Sequence, residues 1–236
     1  MSASRLGAIG GLLLAAACAA ACGTLRAKPM DPLSAEEHND LGIAYYARGE
    51  YGLATREFRR ALALAPGFTL ALVNLGDAHL ALGEVDAAIV AYGQAHAQSP
   101  DSPAVANNLA WALLQHEHRW REAESLIREA LARAPEPRGY YLDTLGTLLL
   151  RKAEPGPALE AFRGALADPG LRDRAVRAAV IMRAAEALAR LGDPAGAARC
   201  QQVARALAVS PIGSETGQAG PDIPLSREVG PGESMC

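Results

Sequence analysis

Two consecutive stretches, Ala35 to Phe68 and Thr69 to Ser102, align without a gap at a period of 34 residues, and nothing else in the sequence restricts its fold as tightly. In the first, Leu41-Gly42, Tyr45, Tyr51, Ala54, Phe58, Ala61 and Pro66 stand at positions 7, 8, 11, 17, 20, 24, 27 and 32. In the second, Leu75-Gly76, Ala88, Tyr92, Ala95 and Pro100 stand at the corresponding positions. A unit of this length cannot bury its apolar face alone, so neighbours must stack on one another.

Further copies follow. A third runs from Pro103 with Leu109-Ala110 and then, after one inserted residue in the turn, Ala123, Ile127, Ala130 and Pro135. A fourth begins near Gly139 with Leu145-Gly146, Ala158, Phe162 and Ala165, and its proline, Pro169, arrives one position early. A fifth, from about Ala178, keeps Gly192, Ala197 and Ala204 but has Ala184-Ala185 for Leu-Gly and Gln201 at the aromatic position. Small residues at positions 8, 20 and 27 let two antiparallel helices approach closely, and large apolar residues at 7 and 24 fill what remains. Proline at 32 ends the second helix. Gly49 and Gly83 fall at the turn between the helices, where a positive φ is often required. Half the residues are hydrophobic and only 5% aromatic, a composition dominated by alanine and leucine that suits close helix packing rather than stacked sheets.

The pattern resembles the tetratricopeptide repeat, over Ala35 to Ala208. The resemblance implies an all-α fold, a right-handed superhelical solenoid of about five helix-turn-helix units: four repeats at 35–68, 69–102, 103–138 and 139–172, then 173–208 as a degenerate fifth repeat or capping helices. It also implies that the first helix of each repeat lines a concave groove, with positions 2, 5, 6, 9, 12 and 13 turned toward a bound peptide. Counting along the repeats gives Asn39, Asp40 and Tyr46; Asn74 and Asp77; Asn107, Asn108, Trp111 and Leu114; and Tyr140, Asp143 and Thr147. Asn74 and Asn108 carry both donors and acceptors and can hold the backbone of an extended segment; bonds to neighbouring helices or to water are the alternative. Trp111 and Tyr46 can equally belong to the core. None of these positions is basic, which argues against the clamp by which some tetratricopeptide domains hold a C-terminal carboxylate.

Ahead of the repeats, one positive charge at Arg5 precedes Leu6 to Ala21, an uncharged run that ends at Cys22. Residues 1–21 read as a signal peptide, and small residues before a cysteine resemble the lipobox of bacterial lipoproteins. Cys22 is the expected acylation site and Cys18 the alternative; both have Ala three positions earlier where a branched residue is common, and ordinary secretion is the competing outcome. With each buried methylene of an acyl chain adding about 0.8 kcal/mol, several chains hold a protein on a membrane. Residues 22–34, with Pro29 and Pro32, read as a linker, and 209–236, rich in Gly and Pro, as a disordered tail. An exported compartment would allow Cys200 to pair with Cys236.

A net charge of -3 without basic runs argues against nucleic acid as a partner. No phosphate loop or strand-borne nucleophile is present, so neither an enzyme nor a cofactor is expected. His116-Glu117-His118 lacks a third ligand at a usable spacing and reads as a solvated turn, not a metal site. The expected function is protein–protein interaction at the envelope, the lipid anchored in the outer membrane with the body facing the periplasm; a periplasmic or inner-membrane-anchored protein is the alternative. Lipid-tethered proteins of this architecture resemble the pilotins of pilus and secretion systems; an adaptor for cell-wall synthases or hydrolases, or a part of exopolysaccharide export, is the alternative.

Overall fold

The structure, a computed structural model, describes residues 32–116, 119–134 and 138–209. The chain divides into two compact units, Met1–Ser34 and Ala35–Cys236. Nearly all of the first lies outside the described residues, and with it Cys18 and Cys22; so do Glu117, His118 and the tail from residue 210.

The second unit is a row of α-helices, and no strand occurs among the described residues. In order they are α1 (Ala35–Ala47), α2 (Tyr51–Leu64), α3 (Thr69–Ala81), α4 (Val85–Gln98), α5 (Pro103–Gln115), α6 (Trp120–Arg133), α7 (Gly139–Arg151), α8 (Pro155–Ala167), α9 (Arg174–Arg190) and α10 (Pro194–Val209). They pair as five antiparallel hairpins, each packed on the next. Three residues separate the helices of a hairpin everywhere except between α5 and α6, where the inserted residue of the third repeat makes four. Helices α2, α4, α6 and α8 each stop two residues before a proline, because the residue preceding proline is pushed out of the helical region. Pro169 comes one position early, and α8 is one residue shorter than α2, α4 and α6.

Packing follows the repeat positions. Phe58, Tyr92 and Phe162, all at position 24, are at most 1% exposed and lie against Gly42, Gly76 and Gly146 at position 8 of the same repeat. A Cβ on Gly42 or Gly76 would stand 2.5 or 2.6 Å from a ring carbon, so only glycine admits the ring. Each ring contributes about 1.5–3 kcal/mol by leaving water. The alanines at positions 20 and 27 of the first four repeats are buried to 1% or less, letting second helices seat closely. Gly49, Gly83 and Gly192 at position 15 have φ of +75, +76 and +83°; the fourth repeat sets Ala153 there, at +58°.

The fifth hairpin departs from the others in its first helix. α9 starts at Arg174, one turn ahead of the repeat register, because Asp173 caps it by accepting from the backbone N–H groups of Ala175 and Val176. Cys200, within α10, is 1% exposed and disulfide-bonded; the other three cysteines, Cys236 among them, lie outside the described residues.

Candidate functional site: the inner surface of the solenoid

Each first helix touches the first helices of adjacent hairpins, whereas second helices touch no other second helix. The first helices therefore form the inside of the curve, the surface on which a partner is surrounded by several repeats at once. Large apolar side chains stand exposed on it: Ile43 and Tyr46 on α1, Leu70 on α3, Tyr140 on α7 and Met182 on α9.

A polar ladder runs beneath this surface, from position 6 of one repeat to position 5 of the repeat before. At its start Asn74 Nδ2 donates to Asn39 Oδ1 at 2.8 Å, and Asn39 is 2% exposed. These two amides are spent on one another. At the far end Arg183 of α9 donates to both oxygens of Asp143 at 2.6 and 2.8 Å, and its guanidinium lies 5.1 Å from the centre of the Trp111 ring. One cluster thus ties α5, α7 and α9, three successive first helices. Burial pushes the Asp143 carboxyl above its ordinary pKa, and Arg183 opposes that shift.

Between these ends the ladder is interrupted. Val73 occupies position 5 of the second repeat, where a polar residue would pair with Asn108, and Thr144 donates to the carbonyl of Tyr140 in its own helix. Asn107, 8% exposed, is left with a buried Oδ1 that has no hydrogen-bond partner. Asn108 and Thr147 are half-buried, Leu114 is buried, and Asp40 is exposed.

Asp77 sits half-buried on α3 and accepts from the Tyr92 hydroxyl of α4. Burial raises the Asp77 carboxyl above the usual carboxylate range, and the Tyr92 bond works against that. Tyr92 is held protonated by its own burial first and then by the Asp77 charge. Tyr46 is raised by burial and by the same charge, so the three side chains form one electrostatic neighbourhood. The Tyr46 ring packs against that of Tyr51, with centroids 5.1 Å apart and planes at 59°.

Sequence counting reaches Asp143 and Trp111 but passes over Arg183, which holds them together. Arg183 stands at position 6 once Ala184-Ala185 take positions 7 and 8, so the same count carried into the degenerate fifth unit reaches it. Ile43 and Leu70 occupy groove positions 9 and 2, which the same count also reaches. Three histidines have carboxylate partners: His38 Nδ1 meets Glu57 Oε2 at 2.8 Å in the core, His79 meets Glu84, and His116 lies 3.9 Å from Asp86. Among the described residues no three His, Cys, Asp or Glu side chains converge as a metal site. No helix of the described residues is long and apolar enough to cross a membrane.

Residues 39–103 and 83–144 match family models described as tetratricopeptide repeat. Curated protein sequences yield no significant match. Among solved structures, the Cut9–Hcn1 hetero-tetramer of APC/C aligns with a TM-score of 0.69 at 20% identity over 77% of this chain, which spans only 35% of that one. PilW, described as a widely conserved type IV pilus biogenesis factor, aligns with a TM-score of 0.63 at 21% identity, over 73% of this chain and 78% of its own. Pseudomonas aeruginosa pilF aligns with a TM-score of 0.60 at 23% identity, over 75% and 78%. With repeat models on the sequence and the same hairpin stack in space, the described body is an all-α superhelical solenoid of tetratricopeptide repeats.

Proposed function

We propose that this chain is a membrane-tethered scaffold of the bacterial cell envelope that takes an extended segment of a partner protein on its inner surface and assists assembly of a pilus or secretion machine. The observation that carries this reading is the row of exposed apolar side chains, Ile43, Tyr46, Leu70 and Tyr140, on first helices that face one concavity. Such a row suits an extended peptide, whose alternate side chains find apolar contacts while its backbone meets the half-buried amide of Asn108. Tethering through an acylated Cys22 is supported by the uncharged run that ends there, and the pilus connection by the resemblance to PilW and pilF.

Deleting the gene in its native host and blotting for detergent-resistant secretin multimers tests the pathway. The multimers are expected to disappear and to return with the wild-type gene but not with Cys22→Ala, which also loses labelling by a palmitate analogue. Intact multimers in the deletion strain would exclude the assembly role, and lysis or altered shape alongside them would direct attention to cell-wall enzymes.

A further inference from the structure

The two ends of the inner surface are built from the same chemistry, with one component different. At the α5–α7–α9 end, a buried carboxylate (Asp143) and an aromatic face (Trp111) hold a guanidinium that the chain itself supplies, Arg183. At the α1–α3 end, a half-buried carboxylate (Asp77) accepts from the Tyr92 hydroxyl, Tyr46 stands on the adjoining first helix, and among the described residues no cation forms an ion pair with Asp77. The groove positions of the first three repeats carry no basic residue, while Asp40 adds an exposed acid. A tyrosine hydroxyl bound to one Asp77 oxygen fixes the carboxylate without neutralising it.

Resting on the reading of this surface as a peptide groove, we infer that Asp77 and Tyr46 form a subsite for a cationic side chain, an arginine or lysine of the bound segment, reproducing with the ligand the arrangement that Arg183 completes internally. A guanidinium suits it best, since it combines a charge-assisted bond to the carboxylate with stacking on Tyr46, a residue that is 38% exposed. The Asp77 carboxylate, already removed from water by the fold, loses little further hydration when a cation arrives. The subsite would set which segment binds, and with it the register of the peptide along the groove.

The test uses the full-length chain in detergent and two fluorescein-labelled, amidated heptapeptides of leucine, alanine and glycine, one with a central arginine and the other with the uncharged isostere citrulline. Fluorescence anisotropy is expected to show the arginine peptide binding about tenfold more tightly, in the range of one charge-assisted contact with an aromatic face. In Asp77→Asn, whose amide oxygen still accepts from Tyr92, that ratio falls to near one; in Tyr46→Ala it falls severalfold. Asn108→Ala lowers both affinities in proportion. Equal binding of the two peptides to the wild type, with both weakened by Asn108→Ala, would keep the groove and remove the cation subsite. Absence of binding by either peptide at millimolar concentration would overturn both.

Discussion

The close seating of position 24 on position 8 makes opposite predictions for one chemical change at two glycines of the second repeat. Gly76, inside α3, would bring an added Cβ to 2.6 Å from Tyr92 Cε1 and 2.7 Å from Cζ. That ring is 1% exposed and its hydroxyl is bound to Asp77, so it cannot retreat without giving up the bond. Overpacking costs about 1–3 kcal/mol, and loss of a hydrogen bond to a charged group about 1.5–3 kcal/mol. Against this stands a gain of about 1 kcal/mol from replacing a helical glycine by alanine. Gly76→Ala is therefore expected to lose about 1.5–5 kcal/mol net, a fall in Tm of about 3–20 °C for a body of this size. Gly93, inside α4, has nothing within 4 Å of an added Cβ, so Gly93→Ala keeps the propensity gain and melts about 2–4 °C higher. Thermal unfolding followed by circular dichroism reads both. A Gly76→Ala protein melting at or above the wild type would refute the argument that the glycine exists to seat the ring.

Ala153 sits in the left-handed region at a cost of about 1–2 kcal/mol, so Ala153→Gly is expected to gain up to about 1 kcal/mol after the entropy of glycine is subtracted, measured by urea denaturation. Asn107→Leu removes a buried acceptor without a partner and should stabilise by about 1 kcal/mol in the same assay, a loss of stability counting against the orphaned amide. Asp77 has a pKa raised by burial, so the folded chain holds that proton more tightly than the unfolded chain; the associated stability is full below pH 3.8 and is lost as pH rises through the folded value. Melting temperatures of Asp77→Asn measured from pH 4 to 7 should therefore fall less with rising pH than those of the wild type, and an unchanged slope would remove Asp77 as the cause.

The hairpin register was legible because steric demands repeat: glycine under a ring at position 8, alanine between helices at 20 and 27, proline two residues past a helix end. The inserted residue between α5 and α6 and the one-residue shortening of α8 could be counted from Pro135 and Pro169 alone. The polar pairs of the inner surface were less legible because they form between repeats. Asn39 and Asn74 belong to separate hairpins, and Arg183 reaches back 40 residues to Asp143 from a unit whose sequence had drifted from the pattern. Tyr92 was read as a core aromatic from its position, which is correct for the ring and silent about a hydroxyl that reaches Asp77. Periodicity locates a side chain on a face; which neighbour it bonds depends on the superhelical offset between successive hairpins.

The claim that the inner surface receives a partner protein is tested most directly by site-specific photo-cross-linking in the native host. A photo-reactive phenylalanine would replace Ile43 or Tyr140 on first helices, and Leu64 or Val90, which are at least as exposed, on second helices. The account predicts a discrete protein adduct from Ile43 and Tyr140 and none from Leu64 or Val90. Adducts confined to the second-helix positions would contradict it.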